Sequence, residues 1–438
     1  MGQSAFFELT GVGPGTLMGG FMRQYWIPAG LSSELAVDGG PMRLPLLGEK
    51  LIAFRDSDGR VGVMDQRCPH RCASLFLGRN EQSGIRCVYH GWKFDTDGTC
   101  VDMPNVPNQE EFRGKIRAKA YPVEERAGIF WVYLGPRATP PPLPQLEVTM
   151  VPEEEIVVEP VLRDCNWLQA LEGDIDTSHF GFLHVGHLRA EELAEDNPLY
   201  HTVTNRAPAY HTTPTDWGTS YAAFRDGGPG QTYWRFANYI FPFWTQQPQG
   251  RFERHVHARA WVPLDDTHTM FMNVMWSKKS REVVPSTADG RPIEGLELRN
   301  DYAPRTTDWF GRWRVRHNES DDWGIDRAAQ REGRIFTGID DIHLQDQAVT
   351  ESMGPITDFD FEHLTVSDQM IATTRRRILE AARAFRDEGT VPPGVDHPEL
   401  FREARSGFFL APEEVDWLAA YRAEIETMER PGDPARRG

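Results

Sequence analysis

The sequence predicts an α+β protein, with an all-β N-terminal domain followed by a larger domain that combines a long antiparallel sheet with helices. Three observations lead to this prediction. Short apolar or β-branched segments separated by turn residues fill the chain from about residue 40 to residue 135. A proline-rich run at 140–144 cannot donate ladder hydrogen bonds and marks a boundary. Segments of both strand and helix character follow, so we expect one domain over residues 1–140 and a second over residues 146–438.

The strands of the first domain are indicated by residue type and by turns. Residues 51–54 and 61–64 are largely apolar and flank an Asp58-Gly59 turn, which is the pattern of a β-hairpin. Residues 129–134 read Ile-Phe-Trp-Val-Tyr-Leu, a composition typical of a strand. A small β domain with ligand-bearing loops is therefore expected.

The second domain mixes helices and strands. Residues 166–180 have helical character, and a long helix is expected to begin at Ser367 and end near Gly389. Within that helix, residues 371, 378, 382 and 385 are apolar at helical spacing, so we interpret it as a core-packing helix. The sequence also predicts sheet strands at 233–243, 254–262 and 268–276, and an exposed polar loop at 280–300.

The composition limits the classes of function. With 47 basic and 65 acidic residues, the net charge of −18 argues against a nucleic-acid backbone or an anionic membrane as partner. The N-terminus lacks the basic start and apolar core of a signal peptide, and no segment approaches the roughly 18 apolar residues of a membrane span. Five cysteines indicate no disulfide framework, so we expect a soluble protein of the reducing cytoplasm.

Two short segments each pair a cysteine with a histidine: Cys68 with His70, and Cys87 with His90. This alternation fits a [2Fe–2S] cluster in which two histidines replace two cysteines on one iron, and the imidazoles raise the potential of such a cluster. A zinc finger would normally place its cysteine pair first and its histidine pair second. Together with the Gly-Trp pair that follows, the segments resemble the Rieske iron–sulfur signature and predict a [2Fe–2S] site.

A zinc site formed by the same four residues is the alternative that these segments leave open. Cys72, Cys100 and Cys165 fit neither pattern, and we interpret them as structural, because most free cysteines behave as small buried hydrophobes. A visible spectrum with iron and acid-labile sulfide counts separates the two metals, because the zinc protein is colourless.

A second concentration of candidate ligands lies in the segment from 166 to 184. Asp176 and His179 are three residues apart, so on a helix they share one face. His179 and His184 are five apart, about 140° around an ideal helix, so the helix must end or kink near Gly181 to bring both imidazoles to one metal. A facial triad for non-haem Fe(II) needs two histidines and a carboxylate. Asp176 is better placed to orient an imidazole, so the carboxylate should come from far along the chain.

The Asp-x-x-His-x-x-x-x-His pattern, downstream of the Rieske-like segments, resembles the catalytic subunit of Rieske non-haem iron aromatic-ring oxygenases. Segments 22–26, 351–356 and 362–364 are similar to the phthalate-dioxygenase-like group of that family. The resemblance covers nearly the whole chain and implies a helix-grip (START-like) catalytic domain. It also implies iron ligation by His179 and His184, with Asp346 of segment 345–356 as the third ligand.

The resemblance further implies an electron path between subunits, in which Asp176 links His179 of one chain to the Rieske residue His90 of the next. It implies a homo-oligomer, a trimer or a multiple of trimers, supplied by a separate NADH-dependent flavin and iron–sulfur reductase, with O2 as co-substrate. One departure is Glu172, where other branches place asparagine. Another is the segment 358–361, which replaces a stretch that in this group often carries arginine.

The implied substrate is an aromatic carboxylate. Arg206, Arg225 and Arg235 are candidates for holding its carboxylate through bidentate hydrogen bonds. The leading hypothesis is cis-dihydroxylation of the ring. A monooxygenase or O-demethylase of the same family would use the same ligands, and a non-catalytic electron carrier or zinc-binding protein is the alternative from another class.

Overall fold

The computed structural model describes residues 3–279, 286–426 and 428. Its first part is built of short antiparallel strands in three sheets, with the orders β1-β11-β10, β2-β3-β4-β9 and β5-β6-β7-β8. The strands are β1 Trp26–Leu31, β2 Met42–Leu46, β3 Glu49–Arg55, β4 Val61–Asp65, β5 Arg79–Asn80, β6 Ile85–Arg86, β7 Lys93–Phe94, β8 Cys100–Asp102, β9 Ala120–Tyr121, β10 Val123–Arg126 and β11 Ile129–Tyr133.

The predicted hairpin is the pair β3 and β4. Its turn closes through a hydrogen bond from the Gly59 N–H to the carbonyl of Asp56 (3.0 Å). Gly59 has a φ of +82°, a left-handed conformation that glycine adopts without a steric penalty. The hairpin leads directly into the loop that carries the first Cys-His pair.

The second part contains an eight-stranded antiparallel sheet with the order β12-β18-β17-β16-β15-β14-β13, in which β19 pairs with β15. This arrangement, with helices on the sheet, confirms the predicted fold class. The strands are β12 Ile156–Arg163, β13 Ala209–Pro214, β14 Gly218–Asp226, β15 Gln231–Ile240, β16 Trp244–Gln246, β17 His257–Pro263, β18 Thr269–Trp276 and β19 Gly407–Pro412. Strands β15, β17 and β18 correspond to the three strands predicted from sequence.

The helices are α1 Gln3–Thr10, α2 Leu17–Met22, α3 Trp167–Ile175, α4 Phe180–Leu183, α5 Tyr200–Thr204, α6 Arg327–Glu332, α7 Ile342–Ser352, α8 Gln369–Glu388 and α9 Trp417–Glu426. Helix α8 is the predicted long helix, and Gly389 ends it with a φ of +71°. Ile378 and Ala382 of α8 are fully buried, which confirms its core-packing role. None of the helices in the described ranges combines the length and the hydrophobicity that a membrane span requires.

The two parts of the chain share one hydrophobic core. Trp131 of β11 stacks on Trp244 of β16, with ring centroids 5.8 Å apart. The proline-rich run is packed against this core, since Leu143 within it belongs to the core and is 9% exposed. It therefore does not act as the extended spacer that its composition favours. The predicted loop at 280–300 is irregular over 286–300, and 280–285 lie outside the described residues.

Helices α3 and α7 position the site. Helix α3 lies on β16 and β17 and packs against α7, while α8 covers β13 and β14. The segment after α3 and the side chains of α7 face each other beside the sheet. The predicted ligands of the second metal site lie at this junction.

Candidate metal centres

The four residues of the Cys-His segments lie in two neighbouring loops. Cys68 and His70 follow β4, and Cys87 and His90 lie between β6 and β7. The cysteines are buried, at 1% and 3% exposure, whereas the histidines are partly exposed. The two imidazole centroids are 4.5 Å apart. The structure therefore brings all four residues together, with the thiols inside and the imidazoles outside.

Backbone hydrogen bonds shape these loops. The Cys68 N–H donates to the carbonyl of Ala73 (2.8 Å), and the Cys87 N–H donates to the carbonyl of Trp92 (2.8 Å). Gly91 between the second pair and Trp92 has a φ of +80°, and a Cβ there would lie 2.6 Å from Cγ of Pro104. The ring of Trp92 stacks under the imidazole of His70 with centroids 4.3 Å apart. The Gly-Trp pair thus closes the loop and packs against the imidazole of His70.

The geometry fits a two-iron cluster and argues against the zinc alternative. A tetrahedral zinc ion would hold its ligand atoms about 3.3–3.8 Å apart, given bonds of about 2.0–2.3 Å. Among the described residues, no three of these four have ligand atoms within 4.8 Å of one another. Nδ1 of His90 is buried without a hydrogen-bond partner among the described residues, as expected of a nitrogen available to a metal. Burial, with the neighbouring Cys87, raises the pKa of the Cys68 thiol to about 12, so a bound cation is needed to keep it a thiolate.

The second site is a compact triad. Nε2 of His179 and Nε2 of His184 are 3.2 Å apart. Oδ1 of Asp346 lies 3.5 Å from the first and 3.1 Å from the second. Three mutually adjacent ligands with bonds of about 2.1 Å would be separated by about 3.0–3.4 Å. In the described part of the chain, this is the one group of three or more His, Cys, Asp or Glu side chains whose ligand atoms all lie within 4.8 Å of one another.

The local fold differs from the helix predicted over 166–180. Helix α3 ends at Ile175, and Asp176 is extended, with φ −86° and ψ 114°. The carboxylate of Asp176 accepts hydrogen bonds from the N–H (2.7 Å) and the hydroxyl (2.8 Å) of Ser178, which favours a turn over a continued helix. The break therefore comes five residues before Gly181, and it turns His179 toward His184.

The acids near Asp346 have other partners. Asp341 caps the N-terminus of α7, accepting from the N–H groups of His343 (2.9 Å) and Leu344 (3.1 Å). Asp340 accepts from the N–H of Gly295 (3.0 Å). Asp346, one turn into α7, is the carboxylate that reaches the imidazoles. This placement agrees with the ligand that the resemblance implied.

Burial and neighbouring charges shift the pKa values of two side chains of the triad, Asp346 and His179. Burial would raise the pKa of Asp346, but the neighbouring imidazoles of His184 and His179 lower it well below its usual range. Burial disfavours a charged His179, yet the hydrogen bond and charge of Asp176, with the charge of Asp346, raise the His179 pKa to about 9. A metal ion bound through Nε2 of His179 would therefore have to compete with a proton.

Each histidine of the triad has a polar neighbour of its own. Nδ1 of His179 lies 3.6 Å from Oδ2 of Asp176. Nδ1 of His184 lies 2.8 Å from Oε1 of Gln345. Within the described chain, His90 is not among the hydrogen-bond or ion-pair partners of Asp176. The bridge between Asp176 and His90 thus remains a prediction about neighbouring chains.

A cavity of about 330 Å³ opens beside the triad. Its wall includes His179, His184 and Asp346, the side chains of Arg235 and Tyr221 from the sheet, and residues of the loop between β16 and β17. A volume near the lower end of ligand pockets suits a ligand of one or two rings. The site can therefore hold a metal and a small aromatic molecule side by side.

Only one of the three predicted substrate arginines lines this cavity. Arg235 does so, is 6% exposed, and lies with its guanidinium 5.3 Å from the ring centroid of Phe180. The predicted substrate-binding role of Arg206 is corrected by the structure. Its guanidinium donates to the carbonyls of Gly181 (2.7 Å) and Leu188 (2.7 Å) and so holds the loop after His184.

Arg225 is a second correction. It is absent from the cavity wall, and its Nε donates to the carbonyl of Asn205 (2.7 Å). Burial and the nearby charge of Arg235 lower the pKa of Arg225 to about 10. Its guanidinium therefore bonds to the backbone near the end of β14 rather than lining the cavity.

Sequence reasoning missed a polar group in the cavity wall. Oδ1 of Asp174 lies 2.5 Å from Nη1 of Arg259, whose Nη2 lies 3.3 Å from Nε2 of His343. A signal existed: Arg259 is a charged residue in the otherwise apolar run Ala-Arg-Ala-Trp-Val, and buried charges are almost always paired. Gln345 was also missed, and a lone amide in a helix carries no comparable signal.

Comparison with known proteins agrees with this geometry. Two family models match: a Rieske [2Fe-2S] domain over residues 25–120 and a LigXa C-terminal domain like model over residues 132–433. The chain is 52% identical to the 3-chlorobenzoate-3,4-dioxygenase oxygenase subunit of Comamonas testosteroni, over 97% of this chain and 98% of that protein. It is 34% identical to the phthalate 4,5-dioxygenase oxygenase subunit of Pseudomonas putida, over 91% of this chain and 90% of that protein.

Among solved structures, the Pseudomonas putida CBB5 NdmA QL mutant with theobromine matches with a TM-score of 0.51. The match covers 91% of this chain and 99% of that chain at 19% identity. At this level of identity the likeness supports the fold alone.

Proposed function

The chain belongs to the Rieske non-haem iron oxygenases, and from that premise we propose that it cis-dihydroxylates an aromatic carboxylate. Enzymes of this family use a Rieske [2Fe–2S] cluster, a mononuclear iron and O2. The chain is therefore an oxidoreductase that incorporates oxygen, and as an oxygenase component it works with a reductase. The substrate class, the regiochemistry and the form of the reductase are the steps that we add.

The observation that carries the substrate class is Arg235. Its guanidinium is buried in the cavity wall beside the triad, and among the described residues its side-chain hydrogen bond is a 3.3 Å contact from Nε to the hydroxyl of Thr177. No Asp or Glu pairs with it in the described parts of the chain. Because a buried charge is costly without an opposite charge, a carboxylate substrate fits this position. The 52% identical relative is named for 3-chlorobenzoate, an aromatic carboxylate, which supports the same class.

We propose the ligand assignments as follows. Cys68, His70, Cys87 and His90 hold the [2Fe–2S] cluster, and the triad of His179, His184 and Asp346 holds the mononuclear iron. When bound, the cluster supplies single electrons and the iron activates O2 beside the substrate. Arg235 orients the carboxylate, so that the ring lies against the triad. Residues of the loop between β16 and β17 close the other side of the cavity.

The proposed reaction balances as aromatic carboxylate, O2, NADH and a proton giving a cis-dihydrodiol carboxylate and NAD+. Electrons come from NADH through a separate reductase with flavin and iron–sulfur groups. Both oxygen atoms enter the ring at adjacent carbons, and no group leaves. A monooxygenase would instead place one atom in the product and release the other as water.

We propose a trimer, or a multiple of trimers, in which His90 of one chain faces Asp176 of the next. Exposed apolar side chains in both segments support this contact: Val88 and Tyr89 beside His90 are 55% and 54% exposed, and Phe182, in the short helix that follows His179, is 54% exposed. Light scattering should give three or six chains per particle. The cytoplasmic location expected from cysteine usage stays a prediction.

The test is turnover of a panel of benzoates with a surrogate reductase, NADH and ¹⁸O-labelled O2, with the matching benzamides as neutral controls. We expect NADH-coupled conversion of one or more benzoates to products that carry two labelled oxygens, and little conversion of benzamides. One labelled oxygen would establish the monooxygenase instead. Equal conversion of benzoates and benzamides would contradict the assigned substrate class.

A further inference from the structure

Gln345 is a buried amide on α7 that no part of the proposed reaction uses directly. It precedes Asp346 and is 1% exposed. We propose that Gln345 is a positioning residue, which fixes His184 in the tautomer and orientation that present Nε2 to the iron. The inference rests on the proposed triad and goes beyond it, because it names the group that prepares one ligand.

The orientation of the amide is determined by its partners. Nε2 of Gln345 donates to the carbonyl of Gly295 (2.8 Å) and to the carbonyl of Ile339 (2.7 Å). Carbonyl oxygens only accept hydrogen bonds, so the atom facing both must be the NH2 group. The oxygen Oε1 therefore faces His184.

This orientation decides the tautomer of His184. Oε1 of Gln345 lies 2.8 Å from Nδ1 of His184, and an amide oxygen can only accept. Nδ1 must therefore carry the proton, which leaves the lone pair of a neutral imidazole on Nε2. Nε2 is the atom that lies 3.1 Å from Oδ1 of Asp346 in the triad. The tautomer that binds a metal is set before any metal arrives.

The backbone around the amide is fitted to it. Gly295 has a φ of +83°, and a Cβ at this position would lie 3.1 Å from Nε2 of Gln345. Ile339 lies in the turn just before α7 and is 4% exposed. Three segments, at 295, 339 and 345, thus hold one amide in place. A residue serving helix stability alone would not need this arrangement.

The two ligand histidines are consequently supported in different ways. His179 has a carboxylate neighbour, Asp176, at 3.6 Å, whereas His184 has a neutral amide at 2.8 Å. With Fe(II), the carboxylates of Asp346 and Asp176 already balance two positive charges. A neutral support at His184 orients that ligand without adding a negative charge.

The experiment measures metal affinity rather than turnover. Chains with the iron–sulfur cluster loaded and the mononuclear metal removed are titrated with Co(II) in competition with a chelator. Gln345→Leu keeps the volume and removes all three hydrogen bonds. Gln347→Leu is the matched control, because Gln347 lies on the same helix, is 4% exposed, and donates to the carbonyl of Leu162 and to Glu351 instead.

We expect Gln345→Leu to weaken Co(II) binding by about 10- to 100-fold, the usual cost of removing such a support, and to alter the visible spectrum of bound Co(II). Gln347→Leu should leave both unchanged. Gly295→Ala, which crowds Nε2 of Gln345, should weaken binding in the same direction. The absorption of the iron–sulfur cluster should not change in any of these variants.

Wild-type affinity and spectrum in Gln345→Leu would overturn the proposal, as would equal losses in Gln345→Leu and Gln347→Leu. His184→Ala separates this result from a failure of the triad itself. If His184→Ala binds Co(II) as tightly as the wild type, the triad is wrong and both proposals fall. If it loses binding while Gln345→Leu does not, only the role of Gln345 is refuted.

Discussion

Replacing Arg235 by methionine is expected to remove the preference for a carboxylate. Methionine keeps part of the aliphatic stem of Arg235, a residue that is 6% exposed, and removes the guanidinium, which lies 5.3 Å from the ring centroid of Phe180. A bound carboxylate would then be buried without its partner. Removing one member of a buried charge pair costs about 3–5 kcal/mol. Since each 1.36 kcal/mol is a factor of ten, kcat/KM for a benzoate should fall by about 10²- to 10⁴-fold.

The assay compares a benzoate with its benzamide in wild type and variant, under a saturating surrogate reductase. The benzamide has no charge to lose, so its kcat/KM should change far less than that of the benzoate. Arg235→Lys should recover part of the loss, because it restores the charge without the bidentate fork. Iron and sulfide counts on each variant check that both centres remain loaded. An equal loss for benzoate and benzamide would refute the reasoning, because it would show a general disturbance of the cavity.

Three further predictions concern electron transfer, substrate approach and stability. Asp176→Asn should leave both metal centres occupied and slow reoxidation of the reduced cluster, measured by stopped-flow absorbance; an unchanged rate would remove the bridge. Arg251 and Arg254 are exposed in the cavity wall of a chain whose net charge is −18, so they should steer anionic substrates toward the cavity. Added salt screens this attraction and lowers kcat/KM, and the double variant Arg251→Gln with Arg254→Gln should make kcat/KM less sensitive to salt. Burial would raise the pKa of Glu34, but the charge and hydrogen bonds of Arg312 lower it overall. This buried pair therefore stabilises the fold above the unfolded-state pKa of about 4.3, and the stabilisation is lost as the pH falls through the lower folded-state pKa. Glu34→Gln should therefore cost about 3–5 kcal/mol near pH 7, and this cost should shrink progressively as the pH falls below about 4, measured by denaturant unfolding; a cost independent of pH would contradict this.

The elements with strong local signals were predictable. The turn at Asp58-Gly59 and the apolar spacing of α8 up to Gly389 depend on neighbouring residues, and the structure confirms both. The fold class followed from the order of such segments. The Cys-His segments could be interpreted from the sequence because the alternating order of cysteine and histidine differs from that of a zinc finger.

The extent of α3 could not be read from propensity. Residues 166–180 have helical character, but the side chain of Asp176 bonds locally to Ser178 and ends the helix at Ile175. This competition depends on one side chain and its rotamer. It nevertheless sets the geometry of the triad, because His179 lies beyond the break.

The choice among the arginines depended on strand register. Arg225 pairs with Tyr233, and Arg235 pairs with Ala223, so the two arginines share a face of the sheet and differ by two positions along it. Two positions along a strand correspond to about 7 Å, which places Arg235 in the cavity wall and Arg225 near the end of the sheet. A single sequence does not contain the register, and Gln345 shows the same limit, since its partners lie at 184, 295 and 339.

The most direct test of the whole account is a single turnover without reductase. The fully reduced chain holds two electrons, one on the iron–sulfur cluster and one in the ferrous iron, which is the number that cis-dihydroxylation requires. Mixed with a benzoate and ¹⁸O-labelled O2, it should form up to one cis-dihydrodiol carboxylate per triad, with two labelled oxygens. Absence of product from a chain with both centres loaded and a benzoate bound would contradict the account.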